Sequence, residues 1–237
     1  LPECFACFGG GDKLLLEIAE DLHHGPIHLK LKQFAIQYGI WLVTGSLPLR
    51  CTTANKFTAS CLLINEHGKI VEEYQKIHLF DVKVADDTGT YLESRNTQAG
   101  NKLIVISTPF GVLGLAICYD IRFAGMFAAM NQIAQLDVLA LPSAFTQQTG
   151  QAHWHSLLSA RAIENQCYIV GANQTGKHMN KRQTYGHSCI ISPWGEKVAE
   201  LPHDIGMIHA QIDHQLLTDI RTNMPVYQHN KFRSHLV

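Results

Sequence analysis

One stretch limits what this chain can fold into more than any other. The apolar run from Val112 to Ile117 ends at Cys118, a polar Tyr119-Asp120 pair follows, and a run rich in Ala, Met and Phe comes next. This pattern predicts a strand, a sharp turn and a helix, with Cys118 on the turn. A thiol at the end of a strand and near the start of a helix is expected to favour the thiolate, its nucleophilic form. The alternative is a small buried hydrophobe without a chemical role.

The rest of the chain alternates strand and helix patterns and inserts hairpins between them. Helices are predicted over 12–20, 26–38, 125–135, 151–166 and 213–221, and strands over 40–44, 57–64, 69–74, 103–107, 112–117, 137–141, 167–172, 187–192, 197–201 and 205–212. Residues 81–100 are predicted to form a long polar loop of the kind that covers a site. This order predicts an α/β fold with a mixed sheet and helices outside, in a single domain over 1–237.

Composition excludes several partners and suggests a compartment. The net charge is −1 without a polybasic block, which argues against nucleic acid and against an anionic membrane surface. Seven scattered cysteines are typical of free thiols in a reducing, cytoplasmic setting. The opening Leu1-Pro2-Glu3 reads like the end of a buried strand, so the chain is expected to be N-terminally incomplete, and targeting is left open.

The fourteen histidines do not predict a metal site. His153 and His155 are separated by one residue, and neither they nor the later histidines fall into an H-E-x-x-H or H-x-x-E-H frame. Cys4 and Cys7 form a C-x-x-C pair with no second pair at zinc-ribbon spacing. The sequence therefore predicts no metal and no organic cofactor.

Three ionisable residues fall at predicted strand ends: Glu3, Lys76 and Cys118. In a layered α/β fold such ends gather along one edge, where ligands bind. A thiolate can attack a carbonyl carbon, a lysine can stabilise the oxyanion that forms, and a carboxylate can move protons to the leaving amine and from water. A Cys-His pair is the competing arrangement, although no particular histidine is indicated as the base.

These stretches resemble the nitrilase superfamily of carbon–nitrogen hydrolases. The resemblance rests on Leu1-Pro2-Glu3, on Lys76-Ile-His-Leu-Phe-Asp81 and on Cys118-Tyr-Asp-Ile-Arg-Phe123, in that order. It implies an α-β-β-α sandwich with mixed sheets, a Glu3–Lys76–Cys118 triad, a homodimer and a small-molecule amide substrate. It also implies that Glu93 braces the lysine and that the Tyr119 backbone N–H is a second oxyanion donor.

Downstream segments are similar to one branch of that superfamily, the deaminated-glutathione amidases. Thr149-Gly-Gln-Ala-His153-Trp154 and Gly176-Lys-His-Met-Asn-Lys-Arg182 carry this similarity, and the sister ω-amidases that act on 2-oxoglutaramate share the first of them. Because the implied substrate is anionic at both ends, we expect substrate contacts from Arg122, His153, Lys177 and His178, with Arg122 as a carboxylate clamp. Lys177, His178, Lys181 and Arg182 form a cationic segment, for which a solvated basic loop is slightly favoured over direct contact with the substrate. Arg122 is also compatible with an ion pair to Asp120 or Glu164.

Two departures from the family pattern leave the function open. The strand and helix that precede the Leu-Pro-Glu motif in relatives do not appear in this sequence, and Ala124-Gly125 stands where relatives usually have Pro-Glu. The second change should weaken the start of the following helix by roughly 1 kcal/mol or less. An amidase is therefore the leading hypothesis, and an inactive nitrilase-fold binding scaffold is the alternative from another class.

Overall fold

Two β-sheets share one apolar core in the computed structural model, which describes residues 1–86 and 88–236. The described helices are α1 (Gly11–Glu17), α2 (Pro26–Tyr38), α3 (Ala124–Ile133), α4 (Gln147–Asn165), α5 (His214–Asn223) and α6 (Val226–His229), with 3-10 turns at Glu93–Arg95 and Cys118–Arg122. The described strands are β1 (Leu42–Val43), β2 (Leu47–Arg50), β3 (Phe57–Ile64), β4 (Ile70–Gln75), β5 (Asp81–Lys83), β6 (Thr90–Leu92), β7 (Thr97–Gln98), β8 (Ile104–Thr108), β9 (Gly111–Leu115), β10 (Val138–Ala140), β11 (Tyr168–Gly171), β12 (Thr175–Lys177), β13 (Gln183–Tyr185), β14 (Ser188–Ile191) and β15 (Lys197–Leu201).

The first sheet is built around β3. Strands β1, β2 and β4 pair with it in antiparallel fashion, and β7 pairs with it in parallel. The second sheet has six strands in the order β15-β14-β11-β10-β9-β8. Its central strands β9, β10 and β11 are parallel, and the outer strands are antiparallel to their neighbours. The carboxyl ends of β9 and β10 therefore lie side by side, and Cys118 follows the first of them.

The alternation of side chains along β3 explains the layers. Cys61 and Leu63 belong to the core shared with the second sheet, while Leu62 and Ile64 belong to a separate core with Leu31 of α2. Because successive strand residues point to opposite faces, one face of the first sheet covers α2 and the other covers the second sheet. Helices α3 and α4 pack on the second sheet, so the layers are helix, sheet, sheet, helix. The predicted nitrilase-like α-β-β-α sandwich is confirmed.

Local signals fixed several helix ends. Pro26 opens α2, and Gly39 ends it with a left-handed φ of 60° and hydrogen bonds to the carbonyls of Ala35 and Ile36. The side chain of Asp213 caps α5 by accepting from the backbone N–H groups of Gln215 at 2.9 Å and Leu216 at 3.0 Å. These helices begin and end close to the predicted residues.

Two predictions about secondary structure were wrong. Residues 205–212 are not a strand, because β15 pairs with β14 and no described strand lies beyond it; Ile205 and Met207 are instead 100% and 90% exposed. Residues 81–100 are not a plain loop, since β5 and β6 form a hairpin that leads into the 3-10 turn at Glu93–Arg95. Within the described part of the chain, no helix is both long and apolar enough to cross a membrane.

Candidate active site

Cys118 lies on a tight turn at the carboxyl end of β9. Its backbone φ of 45° is left-handed, and its N–H donates a 2.8 Å hydrogen bond to the carbonyl of Pro142, just beyond β10. This conformation is uncommon for a residue other than glycine, and such residues are enriched at functional sites. The turn keeps the thiol at the shared edge of two parallel strands, with only 8% of the residue exposed.

Lys76 lies one residue beyond the end of β4, on the facing sheet. Its backbone is fixed by a 3.0 Å bond from its N–H to the carbonyl of Ala59 and a 2.8 Å bond from the Gly100 N–H to its own carbonyl. The side chain is 2% exposed, and its ammonium donates to Glu3 Oε1 at 2.7 Å and to both oxygens of Glu93 at 2.9 and 3.0 Å. A buried ammonium held by two carboxylates has a fixed position and keeps its charge.

The segment that carries Glu3 is anchored to both halves of the molecule. The Cys4 N–H donates to Ser46 Oγ at 2.9 Å, and the Gln174 side chain donates to the Glu3 carbonyl at 3.0 Å. The backbone also passes so close to Gly45 that a Cβ there would lie 2.1 Å from the Pro2 carbonyl oxygen. Only glycine, which has φ of 75° here, permits this approach.

Glu93 begins the 3-10 turn that follows the β5–β6 hairpin. Besides both bonds to Lys76, its Oε2 accepts a 2.6 Å hydrogen bond from the Phe80 N–H. Burial raises the pKa of Glu93, the Lys76 charge opposes that shift, and the nearby Glu3 adds to it. The Glu93 carboxylate thus fixes the position of the Lys76 ammonium together with Glu3.

The electrostatics favour a charged lysine and a neutral thiol. Burial by itself would lower the pKa of Lys76, but the adjacent Glu3 and Glu93 carboxylates outweigh burial and hold it well above its usual range. Burial raises the pKa of the Cys118 thiol, the Glu3 charge and a hydrogen bond to Glu3 raise it further, and Lys76 and the Ala144 backbone only partly offset this. The expected thiolate was therefore wrong, because burial and the adjacent carboxylate outweigh the position at the strand end.

A cavity of about 300 Å³ opens over these groups. Its lining includes the side chains of Glu3, Lys76, Glu93 and Cys118. The other lining residues used below are Phe80, Tyr91, Tyr119, Arg122, Ala144 and Arg182. No histidine occurs among the described residues that line it, and this does not support the competing Cys-His arrangement.

The predicted substrate-binding residues fall into two groups. Arg122 lines the cavity, and its Nη1 lies 3.4 Å from Nδ1 of His153. Lys177 is exposed in β12, and His178 packs its ring 4.2 Å from that of Phe8 while hydrogen-bonding Thr184 at 2.7 Å. His153, Lys177 and His178 are thus placed outside the lining of the cavity.

Arg182 is a cavity cation that the sequence did not single out. Its guanidinium lies 4.7 Å from the ring centroid of Phe8 and 4.8 Å from that of Tyr91, and it donates to the Ala144 carbonyl at 3.2 Å. Its Nε is buried without a hydrogen-bond partner among the described residues. The only sequence signal was its place in the basic 177–182 segment, and periodicity could not show which of those side chains turns inward.

Comparison of this chain with known proteins agrees with this architecture and defines the class of protein. Residues 1–222 match the carbon–nitrogen hydrolase family, and the chain belongs to that family. The predicted membership of the nitrilase superfamily and the predicted hydrolase class are thereby confirmed.

Three relatives place the chain more closely. It is 41% identical to the deaminated glutathione amidase of Yersinia enterocolitica over 220 residues, and this match covers 92% of this chain and 77% of that protein. The crystal structure of the Caenorhabditis elegans NitFhit protein superposes with a TM-score of 0.86 at 39% identity, covering 98% of this chain and 56% of that longer chain. Saccharomyces cerevisiae Nit3, of the nitrilase superfamily, superposes with a TM-score of 0.86 at 28% identity, covering 98% and 82%.

Proposed function

We propose that this chain is an amidase that hydrolyses a small anionic amide through a thioester on Cys118, with deaminated glutathione as the substrate. The observation that carries the proposal is the contact of Lys76 Nζ with Glu3 at 2.7 Å, within the cavity that also holds the Cys118 thiol. The substrate follows from the relatives named deaminated glutathione amidase, one of which is 41% identical.

In the first half-reaction, Glu3 accepts the thiol proton as the Cys118 sulfur attacks the amide carbon. This order fits a thiol whose pKa is raised, because the base removes the proton only as the new bond forms. The carbonyl π electrons move to oxygen, and the Lys76 ammonium and the Tyr119 backbone N–H stabilise the resulting oxyanion. Glu3 then gives its proton to the amine nitrogen, the carbon–nitrogen bond breaks, and a thioester remains.

In the second half-reaction, water replaces the amine. Glu3 accepts one water proton while the oxygen attacks the thioester carbon, and the same two donors hold the oxyanion. Collapse breaks the carbon–sulfur bond, and Glu3 returns the proton to the Cys118 sulfur. The products from deaminated glutathione are 2-oxoglutarate and cysteinylglycine, and the enzyme regains its starting protonation.

Arg95, Arg122 and Arg182 line the cavity and give it positive charge of the kind that such a substrate needs. Deaminated glutathione carries a carboxylate at each end, and Arg122 and Arg182 both line the cavity. The guanidinium of Arg182 lies 4.7 and 4.8 Å from two ring centroids, and a carboxylate bound in the cavity would form charge-assisted hydrogen bonds with it. We therefore assign carboxylate binding to Arg122 and Arg182.

The test is a substrate panel of deaminated glutathione, 2-oxoglutaramate and intact glutathione, with product measured by mass spectrometry. We expect the highest kcat/KM with deaminated glutathione and no turnover by Cys118→Ala. Cys51→Ala is the matched control, since Cys51 is free and lies outside the cavity lining. Preference for 2-oxoglutaramate would indicate an ω-amidase, and no turnover of any amide would indicate a binding scaffold; either result contradicts the proposal.

The proposal includes a homodimer in the cytoplasm. Exposed apolar side chains on the outer helices support the dimer: Ile133 ends α3 at 60% exposure, and Ile163 near the end of α4 is 51% exposed. All seven cysteines are free, as expected in a reducing compartment. Light scattering after gel filtration should give twice the chain mass, and Ile163→Glu should lower it; a monomer at micromolar concentration contradicts this part.

A further inference from the structure

Two histidines and one carboxylate meet at a site that the proposed reaction does not use. His155 Nε2 lies 2.8 Å and His187 Nδ1 2.7 Å from the same oxygen, Oε1 of Glu200. The three ligand atoms lie within 4.8 Å of one another. These residues form what we call the His155–His187–Glu200 cluster, and none of the three lines the cavity over Cys118.

The cluster joins three elements that are held firmly. His155 projects from α4, Glu200 from β15, and His187 from the turn before β14. His187 has a left-handed φ of 56°, its N–H donates to the Pro202 carbonyl at 2.7 Å, and its carbonyl accepts from Trp154 Nε1 at 2.8 Å. The backbone is therefore fixed on both sides of His187 in a left-handed conformation, and this sets the direction of its Cα–Cβ bond.

The donor set is one that zinc-like ions prefer. Two imidazole nitrogens and one carboxylate oxygen make up the protein ligands of many open zinc sites, in which water fills the remaining position. Metal–ligand bonds near 2.0–2.2 Å place tetrahedral ligand atoms about 3.3 Å apart. The observed N–O separations of 2.7 and 2.8 Å would widen by about half an ångström. The two imidazole nitrogens, which lie within 4.8 Å of one another, would move to the same spacing. Side-chain exposures of 35% for His155 and 18% for both others leave a route for an ion.

A lysine beside the cluster competes with an ion for the carboxylate. Lys197 lies three residues before Glu200 on β15 and contacts its Oε2, while both histidines contact Oε1. A cation bound between the histidines would repel the ammonium and share its partner. Lys197 is therefore expected to weaken metal binding without preventing it, because the two oxygens are distinct and the lysine is 46% exposed and able to turn away.

We propose that the His155–His187–Glu200 cluster is a binding site for one divalent ion of the zinc class, with water completing the coordination. The ion links α4 to the outer strands β14 and β15. The site takes no part in amide hydrolysis, and the metal-binding proposal does not depend on which substrate the chain hydrolyses. Sequence spacing could not reveal it, since the ligands are 32 and 13 residues apart along the chain.

The test is titration of the metal-free full chain with Zn²⁺ by calorimetry and with Co²⁺ by visible absorption. Both are carried out in the Cys118→Ala background so that the reactive thiol does not bind the ion. We expect one equivalent to bind, with His155→Ala and Glu200→Gln each weakening binding by about tenfold or more. Lys197→Met should tighten binding several-fold, which a purely structural ion-pair cluster would not produce.

His67→Ala is the matched control, because His67 forms a surface pair with Glu66 at 3.6 Å and lies outside the cluster. Its binding curve should match the parent. Circular dichroism melts without metal verify that each variant is folded, and added Zn²⁺ should raise the melting temperature of the parent but not of His155→Ala. Unchanged binding in both His155→Ala and Glu200→Gln, or an equal loss in His67→Ala, overturns the proposal.

Discussion

The hydroxyl of Tyr74 donates a 2.6 Å hydrogen bond to Oδ2 of Asp120, and both groups are buried. Tyr74 lies two residues before Lys76, and Asp120 lies two residues after Cys118. The same Oδ2 accepts from the Ile117 N–H at 2.8 Å, and Oδ1 accepts from the His78 N–H at 3.0 Å. Asp120 thus ties the turn that holds the thiol to the strand end that holds the ammonium.

Removing that tie should cost stability and activity together. Tyr74→Phe leaves Asp120 with one hydrogen bond fewer in a buried place, so we expect the free energy of unfolding to fall by about 1–3 kcal/mol. We also expect kcat to fall, since the hydrogen bond that holds the Cys118 turn in place relative to Lys76 is lost. Urea unfolding and steady-state kinetics measure the two effects. Tyr227→Phe, at a partly exposed tyrosine, is the control; equal effects in both variants would show that the bond has no special role.

Lys76 should be needed twice, for folding and for reaction. Lys76→Met leaves Glu3 and Glu93 buried together without a cation, and the free energy of unfolding should drop by about 3–5 kcal/mol. Adding Glu93→Gln removes one unpaired buried charge, so it should recover part of the stability but none of the turnover. Chemical unfolding of the single and double variants checks this. A double variant that is less stable than Lys76→Met would contradict the charge argument.

The reactivity of Cys118 should respond to Glu3 in two opposite ways. The Glu3 charge raises the pKa of the thiol, so Glu3→Gln should lower that pKa and increase the thiolate fraction at any pH below it. Alkylation of Cys118 by iodoacetamide at pH 8 should therefore be faster in Glu3→Gln than in the parent, whereas amide hydrolysis should be lost. Mass spectrometry of the modified peptide gives the rate. Slower alkylation in the variant would show that Glu3 does not hold the thiol neutral.

Arg182 should control affinity more than rate. Arg182→Met is expected to raise KM for a dianionic amide about tenfold or more while changing kcat little, because one charge-assisted contact is lost. Arg182→Lys should restore only part of the affinity, since an ammonium lacks the planar fork of guanidinium. Lys177→Met is the matched control in the same basic segment, and its KM should match the parent. An equal rise in both variants would indicate general attraction by the segment.

Short-range sequence signals specified the local elements and the residue types of the site. Strand, turn and helix around Cys118, the ends of α2 and the cap of α5 all follow from short-range signals, and the motifs around Glu3, Lys76 and Cys118 identified the family. The strand predicted over 205–212 does not form, because no described strand pairs with this segment. Whether a strand forms depends on a neighbour that local sequence does not specify.

How these residues act on one another depends on the fold. It raised the pKa of Cys118 instead of lowering it, since burial and the Glu3 carboxylate come from a segment more than a hundred residues away. It brought Arg182 into the cavity and left Lys177 outside, and it gathered His155, His187 and Glu200 from three elements. Such effects depend on distance and dielectric between groups remote in the chain, and composition and spacing contain neither quantity.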